Sequence, residues 1–239
     1  MDEASSSVGP SAPATVLVTG ASRGIGLEFV RAFLERGARV IAGARNPTTA
    51  SALSTLLEQH SEQLQVVQLD VADERSVSDM ADTVGSLPIN LLLNNAGILH
   101  VETLENMDVQ NVLRQFQVNA LGALMVTHAL LPNLKEGSKV VNLTSRMGSL
   151  EDNNSGGYYG YRMSKAAMNM VTRSLAVDLK KRGITVVAMH PGMVQTDLTR
   201  GYGMMTAAES VAAMNQVIDQ LSLEQTGQFL QYQGTSVPW

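Results

Sequence analysis

The chain has 239 residues, 44% of them hydrophobic, a formal net charge of −5 and no cysteine. That length supports one sizeable core and leaves little room for a second domain. The acidic balance and the lack of a basic stretch argue against nucleic acid as the main partner. No apolar run approaches the roughly 20 residues that span a bilayer. The absence of cysteine removes disulfides and thiolate chemistry and fits a reducing, cytoplasmic setting.

Residues 1–14 are rich in Ser, Ala and Pro, with two acids and no Lys or Arg. They resemble neither a signal peptide nor a transit peptide, and the composition predicts a disordered tail. From Thr15 to Trp239 apolar runs alternate with amphipathic stretches. Val16-Leu17-Val18 predicts a first strand ending at Thr19, followed by a glycine turn and a helix from Gly26 to Gly37. Further strands are predicted at 39–43, 64–69, 89–93, 139–143, 184–189 and 228–232. Helical patterns fall at 48–60, 74–86, 105–131, 158–182 and 207–221. Continuous apolar strands separated by helices imply a parallel sheet covered on both faces. The expected fold is a single-domain α/β, Rossmann-type, doubly wound sheet of about seven strands.

In such a sheet ligands bind beyond the carboxyl ends of the strands. There the chain reads Gly20-Ala21-Ser22-Arg23-Gly24-Ile25-Gly26, a tight turn opening a helix whose N–H groups can receive a pyrophosphate. At the end of the second strand, Ala44 stands where an NAD site usually carries Asp or Glu, and Arg45 follows it. With Arg23 in the turn, two arginines and no carboxylate favour NADP(H). Asp70, followed by Val71 after the third strand, could accept from an adenine amine or cap the helix that begins near Asp73. The small residues of Asn94-Asn95-Ala96-Gly97, after the fourth strand, would let a backbone pass beneath a cofactor.

Tyr161 and Lys165 stand four residues apart, one helical turn, so a phenol and an ammonium share a helix face. A phenol ionises near pH ~10, and a neighbouring cation favours its charged form, so Tyr161 is a candidate acid and base. Neither Tyr158 nor Tyr159 has a lysine at that spacing. Ser145, past the fifth strand, could hydrogen-bond a substrate carbonyl, with Thr144 and Ser149 as competing hydroxyls. Asn119 lies inside a helical pattern and on its own reads as an ordinary polar position.

These residues, in this order, resemble the short-chain dehydrogenase/reductase family, and within it small NADPH-dependent carbonyl reductases of the sniffer and C-factor type. The resemblance implies that Tyr161 is the acid–base residue, that Lys165 lowers its pKa and holds the nicotinamide ribose, and that Ser145 orients the carbonyl. It gives Asn119 a proton-relaying water and Asp70 the adenine. Asn95, Ala96 and Gly97 would support the adenosine, and Thr196 the carboxamide. Cofactor contact would also come from Ser22, Ile25, Val71, Pro191, Gly192 and Val194. No metal is expected. Ser145 and Tyr161 are sixteen residues apart, a few more than usual, and Asn153-Asn154-Ser155-Gly156-Gly157 looks like the extra loop.

The expected reaction is reduction of an aldehyde, ketone or quinone by NADPH, under a lid from Met193 to Thr206 whose methionines suit varied apolar shapes. The family commonly dimerises through the helices at 105–131 and 158–182, so a homodimer is expected, with a small-molecule substrate and no nucleic-acid or membrane partner. The rival expectation is an NADP(H)-binding signalling or sensor protein with vestigial catalysis. An epimerase would want a further substrate domain.

Overall fold

The computed structural model describes residues 14–239. The expected tail, residues 1–14, lies outside the described residues except for Ala14. Seven strands, β1 (Thr15–Thr19), β2 (Arg39–Ala44), β3 (Leu64–Gln68), β4 (Ile89–Asn94), β5 (Leu134–Leu143), β6 (Thr185–His190) and β7 (Phe229–Gln231), form one sheet. Its order is β3-β2-β1-β4-β5-β6-β7, and every neighbouring pair is parallel. The chain winds outward from β1 to β3 and then returns to place β4 against β1. The strand order therefore reverses between β1 and β4, where a crevice opens beyond the strand ends.

The helices are α1 (Gly24–Glu35), α2 (Ser51–Gln59), α3 (Glu74–Val84), α4 (Val109–Phe116), α5 (Gly122–Ala129), α6 (Tyr159–Lys180) and α7 (Ala207–Gln220). Alternate residues of each strand face opposite sides. Val16 and Val18 pack with Phe29, Phe33 and Met214 on the α1–α7 side. Leu17 packs with Met80, Val126 and Leu179 on the side of α3, α5 and α6. The central strands are sealed on both faces, which is why they read as unbroken apolar runs. β3 and β7 are the edge strands, and along β3 Leu64 and Val67 are buried while Gln65 and Gln68 are exposed.

The expected helix over 105–131 is two helices and a wider turn. Asp108 accepts from the N–H groups of Gln110 and Asn111 and so starts α4 at Val109. A π turn then runs through Gln117–Leu121, with Asn119 at its centre. Directly after it, Gly122 presses on Val71; a Cβ there would lie 2.8 Å from Val71 Cγ2. Among the described residues no helix is long and apolar enough to cross a membrane.

Candidate active site

A cleft of about 520 Å³ opens at the switch point. The glycine turn from Gly20 to Gly26 forms one wall, and Arg45, Asp70 and Val71 one end. Asn95 to Gly97, Tyr161, Lys165, Pro191 and Thr196 complete it. Gly192 and Val194 stand behind this wall. Gly192, at φ +87, backs onto Tyr232 and Met205, and Val194 is buried and bridges to Met205.

The turn is built for close backbone approach. A Cβ on Gly26 would sit 2.3 Å from the Gly20 carbonyl oxygen, and one on Gly20, 2.8 Å from Ala96 Cα. Only glycine fits at these positions. Asn95 is committed to this turn: its Nδ2 donates to the carbonyls of Thr19 at 2.8 Å and Gly20 at 3.1 Å. Thr19 Oγ1 in return accepts from the N–H groups of Asn95 and Ala96, both at 3.0 Å. Asn95 thus shapes the cradle from beneath, and its side chain has no free donor for a ligand. The cradle, the helix start behind it and the cationic end at Arg45 fit a dinucleotide phosphate.

Asp70 does not cap α3. Asp73 does, accepting from Arg75 N and Ser76 N. Asp70 accepts instead from Ala72 N at 3.0 Å and pairs with Arg114 at 3.4 Å, at the cleft edge. Arg23 pairs with Asp197 at 3.1 Å, tying the glycine turn to the segment over the cleft. That partner is 174 residues away and gave no signal in the sequence.

α6 carries Tyr161 and Lys165 on its buried face, as their spacing predicts, with exposures of 7% and 4%. The Lys165 ammonium donates to the Leu143 carbonyl at the end of β5, at 2.8 Å, and lies 5.8 Å from the Tyr161 ring centroid. Burial brings Lys165 down to about 8. Burial also pushes the Tyr161 phenol up to about 12, against a hydrogen bond with Ser145 that acts in the opposite direction. The expected lowering of Tyr161 by Lys165 is therefore absent from this geometry. The lysine is held by a backbone oxygen, and desolvation outweighs the rest.

Of the three candidate hydroxyls, Ser145 is the one beside the phenol. Thr144 Oγ1 donates to Asn169 Oδ1 at 2.8 Å, and Ser149 Oγ to the Trp239 carbonyl at 3.2 Å. Asn119 is fully buried. Its amide accepts from Ile98 N, donates to Ile98 O, both at 2.8 Å, and donates to Ser164 Oγ at 2.9 Å. Ser164 passes that link on to the Tyr161 carbonyl. It was missed in the sequence, where its position between Tyr161 and Lys165 was the available signal.

The loop 153–157 is braced by Arg162. Its guanidinium donates to the carbonyls of Gly156 and Gly157, both at 3.2 Å, and to Ser155 Oγ at 2.8 Å. In the lid segment Met193, Tyr202 and Met204 are exposed at 61%, 78% and 86%, and the part that lines the cleft is Gln195 to Leu198.

Comparison with known proteins agrees with this architecture. A family model described as short chain dehydrogenase matches residues 14–207. The chain is 47% identical over 162 residues to the C-signal protein of Myxococcus xanthus, covering 66% of this chain and 98% of that protein. It is 36% identical over 231 residues to 1-hydroxy-2-glutathionyl-2-methyl-3-butene dehydrogenase of Rhodococcus sp. (strain AD45), covering 94% and 99%. The NADPH-bound carbonyl reductase from chicken fatty liver superposes with a TM-score of 0.90 at 34% identity, covering 96% of this chain and 100% of that one. Carbonyl reductase Sniffer of D. melanogaster gives a TM-score of 0.90 at 30% identity, covering 95% and 100%. The chain belongs to the short-chain dehydrogenase family.

Proposed function

We propose that this protein is an NADPH-dependent reductase of small carbonyl compounds, with Tyr161 as acid and base. The observation that carries the reading is the meeting of Tyr161, Lys165 and a glycine cradle in one cleft, with Arg45 and no carboxylate at the end of β2. A bound nicotinamide supplies hydride to the carbonyl carbon. Tyr161 gives its proton to the carbonyl oxygen, and Ser145 holds that oxygen in line. A phenol at about 12 is fully protonated at neutral pH and ready to donate. Lys165, with a single protein acceptor at Leu143, has donors to spare for a ribose hydroxyl. Asn119 keeps α4, the loop at Ile98 and α6 in register, with any relayed water near its π turn. Asp70, Val71 and Thr196 complete the cofactor site.

The setting is a cytoplasmic homodimer. Support comes from Met163, Met170 and Val177, 58%, 66% and 70% exposed, which form one stripe along α6. Val109, Leu113 and Phe116 continue it on the adjoining α4.

The test is NADPH oxidation with a panel of aldehydes, ketones and quinones, comparing wild type with Tyr161→Phe. Loss of turnover with cofactor binding intact supports the reading. A wild type that binds NADPH tightly and turns over none of the panel favours a sensor or signalling role, for which the likeness to a protein called C-signal is the supporting observation.

A further inference from the structure

Helix α6 begins without a cap of its own. The preceding residue, Tyr158, sits at φ 51, ψ 41 and makes no side-chain hydrogen bond to the first turn. Left-handed backbone is uncommon for a bulky residue and persists only where surrounding contacts hold it. Those contacts converge on one residue from another part of the chain. The main-chain oxygen of Glu102 accepts from Tyr158 N at 2.9 Å, and its carboxylate Oε2 accepts from Gly160 N at 3.2 Å. Gly160 is the second residue of the helix, where a cap normally receives an N–H.

Glu102 is 2% exposed, and among the described residues no Lys, Arg or His pairs with it. A buried carboxylate without a cation needs donors and a favourable field. The positive end of α6 supplies the field. Gln115, itself fully buried on α4, supplies the second donor from Nε2 to Glu102 Oε1 and accepts from His100 N at 2.9 Å through Oε1. The space is closed around this arrangement. A Cβ on Gly160 would lie 2.3 Å from Gln115 Nε2 and 3.1 Å from Glu102 Oε1. Tyr161 is the next residue of the chain.

We propose that Glu102 is a positioning residue for Tyr161, capping the catalytic helix from the loop after β4 in a polar clasp with Gln115. The proposal rests on the reductase reading above. Hydrogen-bond parity makes it specific. The clasp contains two fixed backbone donors, His100 N–H and Gly160 N–H, and between them one carboxylate and one amide. Glu102→Gln leaves two amides, so in every rotamer one N–H faces another. Gln115→Glu leaves two carboxylates opposed. Exchanging both, Glu102→Gln with Gln115→Glu, restores the match at the two backbone donors. The new amide accepts from Gly160 N–H and donates to the new carboxylate, which accepts from His100 N–H, and only the long 3.4 Å bond from Gln115 Nε2 to the Asn111 carbonyl is lost.

The experiment measures steady-state NADPH oxidation for wild type, Tyr161→Phe, Glu102→Ala, the two single exchanges and the double exchange. Deuterium uptake of residues 158–164 is followed in parallel. Expected for Glu102→Ala and Glu102→Gln is a fall in kcat of about ten- to a hundredfold, the scale on which small misplacements act, with KM for NADPH within about twofold of wild type. Uptake at 158–164 should rise, and the double exchange should recover both. A purely structural role would lower thermal stability without this kcat-selective loss and its rescue. Unchanged kcat in a folded Glu102→Ala, or a double exchange no better than either single, overturns the proposal. If wild type shows no turnover that depends on Tyr161, the reductase reading fails. Uptake at 158–164 then decides the capping alone, and no change in Glu102→Ala overturns that too.

Discussion

Lys165 donates a hydrogen bond from its ammonium to the carbonyl of Leu143 at 2.8 Å and lies over the ring of Tyr161, 5.8 Å from its centroid. The consequence is a buried cation at a cost. Burial brings Lys165 from 10.5 to about 8, so below pH 8 the folded state carries a charge that water would solvate better. The sign follows from proton linkage. Between 8 and 10.5 the unfolded chain binds more protons, so the wild type gains stability as pH rises through that window. Lys165→Met should therefore raise stability at pH 7 by about 1 kcal/mol, after allowance for the hydrogen bond lost at Leu143, while abolishing turnover. Chemical denaturation at pH 7 and pH 10.5 checks this. An advantage of the variant that fails to shrink at the higher pH would sink the account.

Cofactor preference should sit mainly in Arg45. It lines the cleft beside Asp70, and burial of Ala44 at the strand end leaves no acid to hold a ribose diol. A charge-assisted contact to a phosphate contributes about 1.5–3 kcal/mol, so Arg45→Ala should raise KM for NADPH about ten- to a hundredfold and leave KM for NADH nearly unchanged. Arg23→Ala should do less. Its guanidinium already has a carboxylate partner in Asp197 at 3.1 Å, whereas among the described residues Arg45 makes no ion pair and is free for a phosphate. Steady-state kinetics with both cofactors decides the matter. An unaltered ratio of the two KM values in Arg45→Ala would place the preference elsewhere.

The layers of the fold were legible because buried parallel strands such as Leu91-Leu92-Leu93 cannot be mistaken for surface. The glycine turn was legible because its spacing is local. What failed to show was set by partners distant in sequence. The π turn at Asn119 looks like ordinary helix in sequence, and its partners Ile98 and Ser164 are 21 and 45 residues away. The expected helix from 105 begins at Val109 because Asp108 caps it there, accepting from Gln110 N and Asn111 N. Tyr161 and Lys165 share a face of α6 as their spacing predicts, but the carbonyl of Leu143, at the end of β5, decides where the ammonium ends.

His190, at the end of β6, should make the fold sensitive to acid. Burial first, then Arg146 and Lys165, hold its imidazole down at about 4, and its Nδ1 is buried with no hydrogen-bond partner among the described residues. A depressed folded value means the stabilising term is present above the unfolded pKa of 6.5 and is lost as pH falls toward 4. Between pH ~7 and pH ~5 the wild type should lose about 2 kcal/mol more than His190→Gln. Urea titrations at the two pH values test this. Equal losses in the two proteins would show that other groups carry the acid sensitivity.

The apolar stripe on α6 should govern assembly. Met163, Met170 and Val177 recur every seven residues, so they align along one side of the helix, and none is covered by the described residues. A contiguous exposed apolar surface of this kind marks an interface. Sedimentation of the wild type at micromolar concentration should give a dimer, and Met170→Glu, which places a charge at the centre of the stripe, should give a monomer. Because Tyr161 and Met170 lie on the same helix, with exposures of 7% and 66%, the charge enters the opposite side from the phenol. The isolated chain should therefore keep its NADPH affinity within about threefold, since contacts remote from the cleft add little to binding there. A monomeric wild type removes the stripe from the dimer argument, and a dimeric Met170→Glu moves the interface to another face.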